Sequence, residues 1–203
     1  MSKSPSPDRR LALRRGAGTV AGLALVAATG WPRPGRASAD AAALLRSGGV
    51  VLAIRHAIAP GTFDPPEFRL GDCRTQRNLD EAGREQSRRI GGWFTERALA
   101  PQAVRSSPWC RCVDTATLAF GRAEVWPALG SPYGRAETSN AAALAELDRQ
   151  LATVADRPGG FEVWVTHQFV LSAWVGTSTA SGEGLLLRSA AGRAEVLARF
   201  QVT

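Results

Sequence analysis

Residues Val50-Val51-Leu52-Ala53-Ile54-Arg55-His56 (VVLAIRH) decide how the rest of the chain is read. Five consecutive apolar residues, three of them β-branched, make a run of strand length without polar alternation. Such a run suits a strand covered on both faces, as in the middle of a parallel sheet. It stops at a guanidinium and an imidazole, before a loop, Ile58–Arg77, dense in Gly, Pro and Asp. A second run, Phe161-Glu162-Val163-Trp164-Val165-Thr166-His167, ends in the same way. A short strand is expected at Ala103–Ser107 and another at Ala123–Leu129. The end of the chain reads as a hairpin, Glu183–Ser189 and Arg193–Val202, turning at Ala191-Gly192.

Helical spacing separates these strands. A short helix is expected over Asp40–Arg46. Asn78 or Asp80 is placed to cap a helix running to about Leu99, with Ile90, Trp93, Phe94 and Ala98 on one face. Pro108 is expected to open a helix that ends near Phe120. Leu144, Leu147, Leu151 and Val154 mark a helix over Thr138–Ala155, and a further helix is expected over about Phe169–Gly176. Strands alternating with helices of crossover length predict an α/β domain. Its architecture is a three-layer α/β/α with a mainly parallel central sheet and an antiparallel edge from the last hairpin.

The chain has 203 residues, a formal charge of +7 and 44% hydrophobic residues. The basic excess is not spread evenly. Residues 1–39 hold seven basic residues and one acidic, leaving 18 basic and 17 acidic over 40–203. A nearly balanced body disfavours a nucleic-acid binder, whose affinity rests on neutralising phosphates. The first 39 residues read instead as an export leader. A basic segment ends at Arg15, an apolar stretch follows (Gly16–Trp31), and Ala37-Ser38-Ala39 is a cleavage pattern. Arg9-Arg10-Leu11-Ala12-Leu13 resembles a twin-arginine motif. The other readings of this segment are an uncleaved anchor and a basic tail. Residues 40–203 are expected to form one exported domain, periplasmic or secreted, with no membrane span once the leader is removed.

The chain has two histidines, each directly after a strand of the buried type. In open α/β sheets, ligands bind beyond the carboxyl ends of the strands. Arg55-His56, Ser106-Ser107 and Thr166-His167 all lie at such ends. If the strands are neighbours, both imidazoles face one crevice. The chemistry these residue types suit is phosphoryl transfer. A guanidinium fork matches phosphate oxygens, a neutral imidazole can attack phosphorus, and a second, protonated imidazole can stabilise the transition state. No metal or cofactor is needed if cationic side chains supply the field. The three cysteines, Cys73, Cys110 and Cys112, form an incomplete ligand set for a metal.

Arg55-His56-Ala57 after a strand resembles the signature of the histidine phosphatase superfamily, whose fold is phosphoglycerate mutase-like. Three further segments resemble that family in order. They are Arg77-Asn78-Leu79 with Gly83, the run Ser106-Ser107-Pro108-Trp109-Cys110-Arg111-Cys112 with Thr115-Ala116, and Thr166-His167. Pro60-Gly61 with Asp64-Pro65, Asp72 to Arg77, and Ser181-Gly182-Glu183 are similar to an exported bacterial branch and to a lipopolysaccharide-core heptose phosphate phosphatase.

The resemblance implies a histidine acid-type phosphatase acting on a small-molecule phosphomonoester. His56 would be the nucleophile, and Arg55, Arg111 and His167 would hold the phosphoryl group. Arg74 and Arg77 would add positive field at the rim or serve as ordinary surface charges. The acid that protonates the leaving group is not marked. Gln168 follows the second histidine where part of the family has Asp, and Asp64 and Glu183 stay open as candidates. Set against the family's segments, Cys112 takes a core position, and a Cys73–Cys110 disulfide would pin the loop after His56 to the Arg111 helix. A phosphomutase, a phosphohistidine phosphatase and a catalytically inactive phosphate- or glycan-binding module are the other readings.

Overall fold

Val50–Arg55 forms strand β1, with every residue but Arg55 buried. The computed structural model describes residues 34–131 and 137–202. The expected leader therefore lies outside the described residues as far as Arg33, and the expected cleavage pattern falls within the first helix, α1 (Pro34–Ser47). Among the described residues, no helix is long and apolar enough to cross a membrane.

The remaining strands are β2 (Ala103–Ser106), β3 (Glu124–Val125), β4 (Phe161–Thr166), β5 (Gly184–Ala190) and β6 (Arg193–Phe200). They form one six-stranded sheet in the order β3-β2-β4-β1-β5-β6. β1, β4, β2 and β3 pair in parallel, and β5 and β6 add the antiparallel edge. Strand period assigns the two faces. Val50, Leu52 and Ile54 pack with Ala41, Leu45, Ile90, Trp93, Phe94 and Ala116 from α1, α2 (Glu81–Thr95) and α3 (Cys110–Phe120). Val51 and Ala53 face the other way, against Leu147, Leu151, Val154, Val170 and Leu171 from α4 (Glu137–Ala155) and α5 (Gln168–Val175). Helices on both faces make the expected three-layer α/β/α fold.

Local chemistry explains where the helices begin and end. Asp80 caps α2, its carboxylate accepting from Gly83 N at 2.8 Å. Asn78 instead uses its side-chain amide to donate to Cys73 O at 2.6 Å. α2 is shorter than the spacing predicts. Leu99 N reaches back to Phe94 O and Ala98 N to Thr95 O, with Ala98 at φ 50°. That is the Schellman pattern, and burying Leu99 compensates for the left-handed alanine. α3 starts at Cys110 rather than Pro108, with Trp109 as the residue before its first turn. The strand expected over Ala123–Leu129 shrinks to Glu124–Val125. Pro127, which has no N–H for the ladder, turns the chain into a 3₁₀ turn, Pro127–Leu129.

Two glycines bring the layers close. A Cβ on Gly91 would lie 2.2 Å from Ala119 O, so α2 and α3 pack in near-backbone contact. A Cβ on Gly83 would lie 2.0 Å from Ile58 O, so the start of α2 sits directly under the loop that follows His56.

Cys73 and Cys110 are joined by a disulfide, and Cys112 is a buried free thiol. The bond ties a 3₁₀ turn of the 58–78 loop to the first residue of α3 across a sequence separation of 37. Closing a loop of that length is worth roughly 3–4 kcal/mol in the chain-entropy account. Urea unfolding with and without a thiol reductant is expected to differ by about that amount. Equal midpoints would mean that the loop is held by its polar contacts alone.

Candidate active site

The parallel pairing of β1 with β4 sets Arg55 opposite Thr166, and His56 N continues the ladder by donating to Thr166 O at 2.9 Å. His56 and His167 therefore leave adjacent strands side by side. Their ring centroids are 5.6 Å apart at 69°. Both rings are almost fully buried and line a cavity of about 730 Å³. Arg55, Arg77, Arg111 and Asp64 line the same cavity, and Phe63, Phe68, Trp109 and Phe169 form its aromatic wall. Trp109 stacks on Phe68 at 5.5 Å and meets the His167 ring edge-on at 5.2 Å.

The environment of His56 suits a nucleophile. Its Nδ1 lies 2.8 Å from Ala57 O. A carbonyl oxygen only accepts, so Nδ1 carries the hydrogen and Nε2 keeps its lone pair. Burial lowers the pKa to about 3; the Ala57 carbonyl opposes this, and Arg111, Arg77 and Arg55 add to it. The ring stays neutral across the physiological range. His167 has Nε2 2.7 Å from Ser107 Oγ and 3.6 Å from Cys112 Sγ, with Nδ1 3.5 Å from Arg111 Nη2. Burial first, then Arg111 and His56, push its pKa well below the usual value. Among the protein groups alone both imidazoles are thus neutral and the positive field comes from arginines; the protonated second histidine expected from the sequence would arise only with a phosphoryl group bound.

Three guanidiniums supply that field. Arg55 donates from Nη1 to Thr179 O at 2.8 Å, Arg77 from Nη1 to Ala59 O, and Arg111 from Nη1 to Asp64 at 2.7 Å and to Arg77 O at 3.3 Å. In all three, Nε is buried without a hydrogen-bond partner among the described residues. Buried donors are rarely left unpaired, so three such guanidiniums on residues lining one cavity set it apart. Burial, followed by the neighbouring Arg111, lowers the pKa values of Arg55 and Arg77. Among the described residues, Asp64 is the one carboxylate lining the cavity. Three cations and one anion leave an excess that matches the charge of about −2 on a phosphate monoester.

The candidate residues separate clearly. Arg55, His56, Arg111 and His167 converge as the sequence implies. Arg77 joins them, whereas Arg74 is an exposed side chain paired with Asp72 at 2.9 Å. Glu183 is not among the lining residues. Its carboxylate accepts from Ala180 N at 2.7 Å and from Arg199, closing the loop before β5, so it is removed as a candidate acid. Asp64 is in the cavity but is not poised to give a proton. Burial alone would raise its pKa, yet the hydrogen bonds from Arg111 Nη1, Arg77 N and Trp109 Nε1 prevail and hold it below the usual carboxylate value. Gln76 was not singled out from the sequence. It clamps the loop by accepting from Cys110 N at 2.9 Å and donating to Arg69 O at 3.1 Å.

The neutral histidines predict acid sensitivity with a definite sign. Unfolded imidazoles take up protons below pH 6.5, whereas the folded His56 does so only near pH 3 and His167 also well below its usual value. Stability is therefore full above about pH 6.5 and falls as pH drops, by up to ~1.4 kcal/mol per unit for each histidine. Asp64 adds its own loss only lower, below the ordinary carboxylate range. Urea unfolding between pH 7.5 and 4 is expected to show this slope, and inorganic phosphate to reduce it by favouring protonated imidazoles. A flat profile would place the two rings in water.

No family model matches the chain, and no curated protein sequence does. Solved structures do match. A phosphoserine phosphatase from Entamoeba histolytica aligns with a TM-score of 0.57 at 11% identity, over 74% of this chain and 95% of the other. A putative alpha-ribazole-5′-P phosphatase from Escherichia coli gives 0.55 at 13% identity, over 73% and 95%. The protein histidine phosphatase SixA, complexed with tungstate, gives 0.50 at 18% identity, over 75% and 96%. These neighbours belong to the histidine phosphatase superfamily, and the likeness at such identities is one of fold. The chain has the phosphoglycerate mutase-like histidine phosphatase fold.

Proposed function

We propose that the protein is a metal-independent phosphomonoester hydrolase that works through a phosphohistidine on His56. The observation that carries this reading is the neutral His56 ring, with its Nε2 lone pair free, among three guanidiniums that each hold a buried, unpaired Nε. Nε2 attacks phosphorus as the P–O bond to the leaving group breaks, the leaving oxygen keeps the bonding pair and takes a proton from solvent, and Nδ1 keeps its hydrogen against Ala57 O. Water then attacks the phosphohistidine, releasing inorganic phosphate and restoring the ring. Arg55, Arg77 and Arg111 neutralise the phosphoryl oxygens in both steps, and His167 contacts the same group.

The substrate in this reading is a sugar phosphate met outside the cytoplasm. The leader-like residues 1–39, the Cys73–Cys110 disulfide and the resemblance of residues 60–65, 72–77 and 181–183 to a lipopolysaccharide-core heptose phosphate phosphatase support it. The wall of Phe63, Phe68, Trp109 and Phe169 suits the C–H face of a sugar ring. One observation favours a second substrate class. With Asp64 in an ion pair, the cavity holds no free carboxylic acid among the described residues. A phosphoramidate such as phosphohistidine leaves with less need of one.

Hydrolysis of para-nitrophenyl phosphate with and without a chelator, followed by a screen of sugar phosphates and a phosphohistidine peptide, tests the proposal. Chelator-resistant turnover is expected. No turnover of any of these donors between acid and neutral pH would point to a phosphate-binding module instead.

A further inference from the structure

Asp64 holds more contacts in the cavity than any role in proton transfer requires. Its Oδ1 accepts from Arg111 Nη1 at 2.7 Å and from Arg77 N at 3.0 Å, and its Oδ2 from Trp109 Nε1 at 3.2 Å. One carboxylate thereby links the loop after His56, the start of α3 and the guanidinium of Arg111. The Arg111 side chain is 5% exposed and Asp64 18%, so the pair is shielded from water. A planar guanidinium has two usable edges. Asp64 takes the Nη1 side of Arg111, which leaves the edge formed by Nε and Nη2. Nε is buried and unpaired, and Nη2 lies 3.5 Å from His167 Nδ1. The edge that Asp64 does not occupy thus has its Nη2 turned towards His167.

Resting on the hydrolase reading, we infer that Asp64 is a positioning residue: it fixes Arg111 by its Nη1 so that the Nε–Nη2 edge presents a bidentate fork to the phosphoryl group. Asp64 does not protonate the leaving group. Its effect on catalysis passes through Arg111 and through the geometry of the transferred group, which is common to every substrate. Bidentate forks act by orientation as well as charge, and small misplacements of such clamps cost rate steeply.

The test is a double-mutant cycle read on a leaving-group series. Asp64→Asn keeps the size and one acceptor oxygen, which can serve Arg77 N but not Trp109 Nε1 as well, and loses the charge that holds Arg111. In the Arg111 enzyme it is expected to lower kcat by roughly 10–100-fold. The factor should be the same for para-nitrophenyl, phenyl and alkyl phosphates. In an Arg111→Lys background, Asp64→Asn is expected to cause no further loss beyond about twofold. Asp64→Glu keeps the charge but displaces it, and is expected to give a smaller loss that is again independent of the leaving group. A loss that grows with the basicity of the leaving group would make Asp64 the general acid and overturn the inference. Full additivity with Arg111→Lys would overturn it too.

The same cycle is read on the affinity for inorganic phosphate by calorimetry, which needs no turnover. A change on Asp64→Asn that vanishes in the Arg111→Lys background supports the coupling. An equal change in both backgrounds overturns it. Absence of turnover in the unsubstituted enzyme would count against the hydrolase reading alone, because the phosphate cycle still decides the role of Asp64.

Discussion

Replacing His56 with alanine is expected to abolish phosphatase turnover, by on the order of 10⁴-fold or more, because the proposed covalent route disappears with its nucleophile. The three arginines remain, so binding of inorganic phosphate is expected to survive in weakened form. The fold should persist. The His56 ring faces the cavity at the end of β1 and is not part of the apolar clusters that join sheet and helices. Acid tolerance separates this outcome from simple misfolding. His56 has its pKa lowered to about 3, and removing it removes one of the two protons that the unfolded chain binds preferentially below pH 6.5. The variant should therefore lose stability less steeply than the parent on acidification. A variant that is inactive and also more acid-labile would signal a damaged fold and not a missing nucleophile.

Changing Arg111 to lysine is expected to lower kcat by roughly 10²–10³-fold, the usual cost of losing a preorganised donor to the transition state. Lysine keeps a charge but has no planar fork, so bidentate contact through the Nε–Nη2 edge is lost. The loss should fall mainly on kcat, since Arg55 and Arg77 still attract the dianion. Arg111→Ala is predicted to be worse for stability as well. It leaves Asp64 shielded from water with its strongest hydrogen-bond partner removed. Kinetics on both variants, with thermal melts alongside, check these expectations. A lysine variant with unchanged kcat and raised KM would reduce Arg111 to a general electrostatic contact.

Much of this was legible in the sequence because the signals were of the kind that burial dictates. β1 read as an unbroken apolar run and β4 as a strong, mostly apolar strand since helices cover both of their faces, and their parallel register placed His56 beside His167. Asp80 was one of two visible caps, beside Asn78, and Arg55 and Arg111 stood in segments with a family resemblance. The Cys73–Cys110 pairing followed from placing the loop against that resemblance.

Other features depended on how an irregular loop folds, which periodicity does not report. Arg74 and Arg77 are three residues apart and look alike in sequence. Yet one is exposed beside Asp72, and the other turns into the cavity towards Ala59 O. Asp64 and Glu183 were both open as candidates, Asp64 slightly ahead because its loop follows His56, until the structure paired the first with Arg111 and the second with Arg199. The charge state of His167 among the protein groups alone likewise depends on its surroundings in the fold. Its burial among Ser107, Trp109 and Cys112 outweighs any attraction, and the nearest charged group is a cation. The strand expected over Ala123–Leu129 was cut short by a proline whose effect on an edge strand was not weighed.

In the proposed reaction, phosphate passes through a covalent bond to Nε2 of His56. Rapid mixing of the enzyme with excess para-nitrophenyl phosphate, an alkaline quench and peptide mapping by mass spectrometry test it directly. One phosphoryl group is expected on the peptide that carries His56, labile to acid and absent from the His56→Ala enzyme. Steady turnover with no phosphorylated peptide at any mixing time, or a phosphoryl group on another residue, would contradict it.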